Sequence, residues 1–352
     1  MSKIVISGTG IITPIGIGND QFWDRVRNGV KGVRKVKRFP SMDEIPCAGI
    51  TDTDILESIV DRRMRRSADI SKYAFAAADL AIKDSGSDPI SETDTALIMG
   101  ITHGALNYTQ AFHSALIKEG IGAASPLHFS DSVLNAPAGN TSICLGVKGS
   151  VHTLLGGAET AVKSVILACR MLETGLAAKA VVVCAEELNE LSASCYLRKG
   201  ITSLSEGAGA VVIESDRQNC QSHHCMISGA SSLLYPSDPD SALSEVIARC
   251  LDSAELKAQD ISFIVTDAGT PAEFSVCNTP AGSVTHLTGN AFGASAVWQL
   301  ILSSLMIKND TIPKTVIRDG DRTPDHARHI MMITADKGGH ATALILSGRQ
   351  TI

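Results

Sequence analysis

Short apolar runs alternate along this chain with longer segments in which apolar residues recur every three or four positions. The runs rich in β-branched residues predict buried strands at 4–7, 96–99, 180–184 and 210–214. Segment 67–85 carries an apolar stripe of helical period that stops at Gly86, and segment 160–174 is apolar on nearly every side. The alternation predicts an α/β fold with at least one buried helix.

Part of this pattern occurs twice. IVISGTGIITP at 4–14 is echoed by MISGASSLLYP at 226–236, and the two apolar runs within 180–215 are paralleled by those within 329–348. A repeat of about half the chain is far longer than a solenoid period, so it predicts two similar α/β halves packed together. We expect these halves to be 1–216 and 217–352, with the boundary in a polar stretch.

A tight glycine turn joins a predicted strand to the apolar helix. KGSVHTLLGGAETAVKSV, residues 148–165, has the order strand, turn and helix on which many enzymes mount a nucleophile. The turn here is Gly156-Gly157-Ala158-Glu159, without Cys or Ser. Alanine has no group that accepts an acyl chain, so covalent catalysis at Ala158 is chemically excluded.

Four motifs, in order across nearly the whole chain, resemble the β-ketoacyl synthase family of the thiolase fold. They are GTGIITPIG, NAPAGNTSICLGVKGS, EGAGAVVIES and LTGNAFGASAVWQLILSSLMIKNDTIPKT. The resemblance implies a thiolase-like fold, with two duplicated halves packed as a layered sandwich around buried helices.

The resemblance also implies that the family's catalytic positions are replaced. Active synthases carry a Cys at the tip of the turn, and this position falls on Ala158. The two family histidines fall on Asp267, in VTDAGTP, and on Asn290, in LTGNAFGA, while the catalytic Lys falls on Thr285. A negative Asp267 would oppose the carbanion that a neutral His donor stabilises.

A synthase homologue that lacks these catalytic groups resembles the chain-length factor, or ketosynthase β subunit, of type II polyketide synthases, including the aryl-polyene branch. Ala158 departs from the Gln that such factors commonly carry. The implied protein pairs with an active ketosynthase as a heterodimer, meets acyl carrier protein through that complex, and shapes the tunnel that limits chain length. The implied tunnel residues are Tyr108, Ala111, Phe112 and Ala115, for which ordinary core packing is the alternative, and the implied dimer residues are Val151, Leu154 and Leu155.

Composition excludes several other classes. The chain has 352 residues, 44% of them hydrophobic, and a net charge of −6. Its one basic run, 62–66, favours a solvated helix face over nucleic-acid binding. The apolar start is interrupted by Gly and Pro, and no stretch approaches the roughly 18 apolar residues of a membrane span. We therefore expect a cytoplasmic protein.

No metal or cofactor is expected. The nine Cys lie mostly in apolar runs without the close pairs of a zinc site. His223, His224, His326 and His329 lack acidic or Cys partners at ligand spacing, which favours solvated loop residues. The segment GTGIITPIG lacks the third Gly of a dinucleotide fingerprint.

Two alternatives stay open. The first is an acyltransferase or thioesterase with another nucleophile, such as Cys144, Cys169 or Cys184, although these Cys lie in predicted strand or helix interiors, where thiols are usually inert. The second is a purely structural homodimer.

Overall fold

The computed structural model describes residues 3–86, 94–216, 223–235, 238–267, 279–318, 320–336 and 339–348. The strands are β1 Ile4–Thr13, β2 Gly16–Ile17, β3 Arg34–Val36, β4 Ile45–Ala48, β5 Thr95–Ile101, β6 Val151–Leu155, β7 Lys179–Glu186, β8 Leu204–Ser205, β9 Gly207–Ser215, β10 Cys225–Leu234, β11 Phe263–Val265, β12 Ala281–Gly282, β13 His329–Ala335 and β14 His340–Ser347. The helices are α1 Asn19–Arg27, α2 Thr53–Ile59, α3 Asp69–Asp84, α4 Leu106–Glu119, α5 Pro126–Ser132, α6 Ala136–Leu145, α7 Glu159–Glu173, α8 Glu190–Arg198, α9 Pro239–Ala254, α10 Thr285–Thr288 and α11 Gly293–Lys308.

The main sheet has the same arrangement on both sides of its centre. Its order within the described residues is β12-β11-β13-β14-β10-β1-β9-β7-β5-β6. Outward from β1, two antiparallel pairings precede two parallel ones, and the same sequence of pairings runs outward from β10. This symmetry supports the predicted halves 1–216 and 217–352, while the boundary stays a prediction because 217–222 lie outside the described residues.

Glycines let one helix approach each central strand closely. A Cβ atom at Gly8 would lie 2.2 Å from the Ala81 carbonyl oxygen of α3, and one at Gly229 would lie 2.4 Å from the Cys250 carbonyl oxygen of α9. The strand register shifts beside both glycines, next to Ile6 in β1 and next to Ile227 in β10. The glycine-rich start of the chain therefore serves helix–strand packing.

Two buried helices form the central layer. Helix α11 is buried from Gly293 to Ile307, and it contacts α7 as well as strands of both halves. Helix α7 likewise contacts β5 and β7 in one half and β10 and β14 in the other. Helices α3 and α9 pack on the outer faces of the first and second halves. The layered sandwich around buried helices is confirmed.

The prediction that the paired histidines are solvated loop residues was wrong for two of them. His224 is buried, and its Nε2 lies 2.7 Å from Asp84 Oδ2 and 3.2 Å from Lys308 Nζ. His329 begins β13 and lies 2.8 Å from Ser347 Oγ. The partners of His224 are distant in sequence and meet it only through the fold, whereas His329 contacts Ser347, its cross-strand neighbour in the β13–β14 hairpin.

Candidate functional site

The glycine turn lies between the edge strand β6 and the buried helix α7. Ala158 caps the N-terminus of α7 with φ −60° and ψ −28°, and it is solvent-exposed. The Gly156 N–H donates to the Ile101 carbonyl oxygen at 3.1 Å, which fixes the turn to the end of β5. The geometry of a nucleophile turn is thus present, and its tip carries a methyl group.

A carboxylate folds back over this turn. Glu159 is only 5% exposed, and its Oε2 accepts a hydrogen bond of 3.0 Å from the Gly157 N–H. Lys163 Nζ lies 3.8 Å from Glu159 Oε1, one helical turn further on. A backbone N–H group of the turn is therefore already bonded to a side chain of the protein itself.

The segment that carries Asn290 reaches the same turn. A Cβ atom at Gly293, the first residue of α11, would lie 2.6 Å from Thr160 Oγ1 and 3.5 Å from the Gly157 carbonyl oxygen. Asn290 Oδ1 accepts a 2.9 Å hydrogen bond from the Phe292 N–H, so its amide stabilises its own loop. The loop that carries Asn290 thus packs against the turn, and the Asn side chain closes a bend within that loop.

Asp267 and Thr285, predicted at the family's His and Lys positions, do come together. Thr285 Oγ1 donates to Asp267 Oδ2 at 2.8 Å, and Ser283 and Gln299 also donate to this carboxylate. Three neutral donors hold a negative group where the family resemblance implies a proton donor. This cluster offers no electrophilic assistance to a carbanion.

A cluster that the sequence did not suggest joins three segments near Asn290. His103 Nε2 lies 2.8 Å from the Tyr196 hydroxyl, and His103 Nδ1 lies 3.4 Å from Glu186 Oε2. The Phe292 ring lies 4.5 Å from the Tyr196 ring and 5.2 Å from the His103 ring. Burial, and then the charge of Glu186, raise the pKa of Tyr196, so the phenol stays protonated and is a poor nucleophile. The residues of this cluster come from separate segments of the chain, so no local pattern predicts it. Among them, Phe292 alone has an unusual backbone, with a positive φ of 50°.

The adjacent carboxyls Glu186, the last residue of β7, and Glu187, just after it, have different partners. Glu187 accepts hydrogen bonds from the Asn107 N–H at 2.9 Å and from the Ile70 N–H at 3.4 Å, whereas Glu186 faces His103. Burial raises the pKa of Glu187 to about 7. The two carboxyls do not form a shared acid–base pair.

The cysteines considered as alternative nucleophiles are poorly suited to that role. Burial raises the pKa of the Cys169 and Cys184 thiols to about 12, and it also raises the pKa of Cys144. A thiol of such high pKa carries almost no thiolate at neutral pH. Among the described residues, no three His, Cys, Asp or Glu side chains gather in a group that could hold a metal ion.

A broad apolar surface surrounds β6 and α4. Strand β6 ends the sheet and exposes Val151 and Leu155, the latter by 56%, whereas Leu154 packs on the core. Helix α4 contains no fully buried residue. Further exposed apolar side chains on this helix and in the segments that follow it are Ile117, Ile121, Leu127, Phe129, Val133, Leu134 and Ile143. An apolar surface of this extent is typical of an interaction site.

The four predicted tunnel residues lie on α4 and are half-buried. Tyr108 packs partly against the core, and its hydroxyl donates to the Arg66 carbonyl oxygen at 2.6 Å, in line with the alternative of ordinary packing. The Phe112 ring lies 5.4 Å from that of Phe129, which is 55% exposed. Ala111, Phe112 and Ala115 thus remain candidates, and Phe129 joins them from α5.

Comparisons with known proteins agree with this architecture. A family model described as the N-terminal domain of β-ketoacyl synthase matches residues 1–204. The chain belongs to the β-ketoacyl synthase family. It is 23% identical over 389 aligned residues to the 3-oxoacyl-[acyl-carrier-protein] synthase 2 of Vibrio harveyi, with 94% of this chain and 93% of the relative covered.

Solved structures of the family share the fold. The ishigamide ketosynthase/chain length factor matches with a TM-score of 0.86 at 19% identity, over 99% of this chain and 100% of that chain. A ketosynthase in complex with its chain length factor from Xenorhabdus doucetiae matches with a TM-score of 0.78 at 17% identity, over 99% and 98% of the two chains. Among the described helices of this β-ketoacyl synthase homologue, none is long and apolar enough to cross a membrane.

Proposed function

We propose that this chain is a catalytically inactive ketosynthase homologue that pairs with an active ketosynthase, in the manner of a chain-length factor. The observation that carries the proposal is the turn before α7, where Ala158 stands at the nucleophile position. Decarboxylative condensation also needs donors that stabilise a carbanion. Asn290 is bonded within its own loop and Asp267 is acidic, so neither position supplies that help.

The apolar surface around β6 and α4 supports pairing. We assign Val151, Leu154 and Leu155 to the heterodimer interface, where the open edge of β6 meets the corresponding edge of the partner. An obligate interface of this kind buries roughly 2,000 Å² or more. Ile117 and Ile121 are 82% and 86% exposed, and such side chains favour a partner that removes them from water.

The proposed role of α4 is to form the far wall of the partner's tunnel. Tyr108, Ala111, Phe112 and Ala115 recur at helical spacing beside this surface, so their volumes would set where a growing chain meets resistance. Acyl carrier protein would reach the pair through the active subunit, and nucleic acid has no part in this role. The cytoplasm, where carrier-bound acyl groups are extended, is the location that fits it.

The test compares the purified chain, a candidate ketosynthase and their mixture on malonyl carrier protein. The chain alone should not condense, because position 158 has no thiol to carry an acyl group, and it should not decarboxylate, because Asp267 and Asn290 do not assist a carbanion. The mixture should make carrier-bound products. Turnover by the chain alone at a rate like that of the synthase would refute the proposal and favour the acyltransferase alternative. A stable homodimer without effect on any synthase would favour the structural one.

A further inference from the structure

The carboxylate of Glu159, the first residue of α7, folds back over the turn that precedes the helix. Its Oε2 accepts from the Gly157 N–H at 3.0 Å, and the side chain is almost fully buried although Ala158 beside it is exposed. An acidic group in the first turn of a helix is stabilised by the helix dipole. Here the carboxylate also accepts a hydrogen bond from a backbone N–H group of the turn.

The two glycines make this conformation possible. A Cβ atom at Gly156 would lie 2.3 Å from Glu159 Oε1, and one at Gly157 would lie 3.0 Å from Oε2. Their φ values do not lie in the left-handed region, so the glycines are required for space. In the sequence Gly156-Gly157-Ala158-Glu159, the two glycines therefore leave the space that the Glu159 carboxylate occupies.

We infer that the Glu159 carboxylate disfavours any second negative charge at the turn, an effect separate from the loss of the nucleophile. Lys163 Nζ, at 3.8 Å from Oε1, offsets the carboxylate only partly because its own side chain is one-third exposed. A thiolate at position 158 would meet a like charge and find the Gly157 N–H already bonded. The inference holds whether or not the chain pairs with a synthase.

The experiment measures the pKa of a thiol introduced by Ala158→Cys. The exposure of position 158 lets iodoacetamide reach the thiol, and peptide mass spectrometry separates its alkylation from that of the native cysteines. Cys195, which is exposed, gives an internal reference rate. The alkylation rate is measured against pH in Ala158→Cys alone and combined with Glu159→Gln, Glu159→Ala or Gly156→Ala, and thermal unfolding confirms that each variant folds.

The thiol in Ala158→Cys should have a pKa at or above the ordinary 8.5 or so. Glu159→Gln removes the charge and keeps an acceptor, so it should lower the thiol pKa by about one unit or more. Glu159→Ala also frees the Gly157 N–H and should lower it further. Gly156→Ala keeps Glu159 but displaces its carboxylate, and should change the pKa in the same direction.

The matched control is Glu173→Gln, which removes a carboxylate from the C-terminal end of the same helix, where it pairs with Arg170 on the surface. It should leave the thiol pKa unchanged. Equal pKa values in Ala158→Cys with and without Glu159→Gln would overturn the inference. So would a thiol pKa well below 8.5 in Ala158→Cys itself, because the turn would then be open to an anion despite Glu159.

Discussion

The buried carboxyl of Glu187 should make this protein less stable as the pH rises. Burial raises its pKa from 4.5 to about 7, although the Asn107 and Ile70 N–H groups oppose the shift. For a pKa raised on folding, the contribution to stability is fully present below pH 4.5 and is lost as the pH rises through about 7. At about 1.4 kcal/mol per pKa unit, the loss amounts to about 3 kcal/mol.

Glu187→Gln should remove this loss, because the amide keeps the shape of the neutral acid and does not ionise. The assay is the thermal unfolding midpoint at pH 5 and pH 8, compared between variant and wild type. Burial also raises the pKa of Glu206, whose charge in turn adds to the Glu187 shift, so the variant should keep a smaller decline from Glu206. Glu173→Gln, on the surface, should behave as wild type. An equal decline from pH 5 to pH 8 in wild type and Glu187→Gln would refute the reasoning.

Three other predictions concern catalysis, chain length and the contact between the halves. Ala158→Cys should not restore condensation in an assay with malonyl carrier protein, because a thiol alone lacks the other catalytic groups with which it must act. In the reconstituted pair, Ala111→Phe should shorten the acyl products, since overfilling a packed wall costs about 1–3 kcal/mol. Phe112→Ala should lengthen them or broaden their length distribution, as measured by mass analysis. An unchanged length distribution would mean that both are core residues. Asp84→Asn should lower the unfolding free energy by about 1–3 kcal/mol at pH 7, whereas Asp79→Asn, in the same helix with a surface Lys83 pair, should cost under about 0.5 kcal/mol.

The effect of Asp84→Asn should also disappear in acid. Burial by itself would raise the pKa of Asp84, but the His224 hydrogen bond, the Thr9 N–H and the charge of Lys308 outweigh it and lower the pKa. A lowered Asp pKa gives stability that is present above the unfolded value of 3.8 and is lost as the pH falls through the folded one. Unfolding of both proteins is measured in a series from pH 7 down into the acid range. A difference that stays constant throughout the series would contradict a stabilising role for the Asp84 carboxylate.

Local patterns were sufficient for the elements that pack through their own periodicity. Helix α7 was predicted at 160–174 and lies at Glu159–Glu173, and the runs at 180–184 and 210–214 lie inside β7 and β9. Each of these segments buries a continuous set of apolar side chains, so local hydrophobicity decides its structure. Val151, Leu154 and Leu155 were named from the family resemblance instead, and they lie on β6, the last strand in the described order of the sheet.

The interior polar contacts could not be predicted in this way. His224 looks like a loop residue until the fold brings Asp84 to it, and Tyr196 meets His103 only after three distant segments pack together. Glu159 looks like an ordinary acidic residue of a first helical turn. Its return over Gly156 depends on side-chain conformation and on space left by missing Cβ atoms, and a residue pattern does not specify either of these.

The most direct test of the account is whether the chain forms a stable one-to-one complex with an intact ketosynthase. The two proteins are co-expressed with a tag on this chain alone, and the mass of the purified species is measured by light scattering during size-exclusion chromatography. The account predicts a heterodimer in which only the partner's Cys becomes acylated. A monodisperse monomer of this chain that binds none of the candidate ketosynthases would contradict the account.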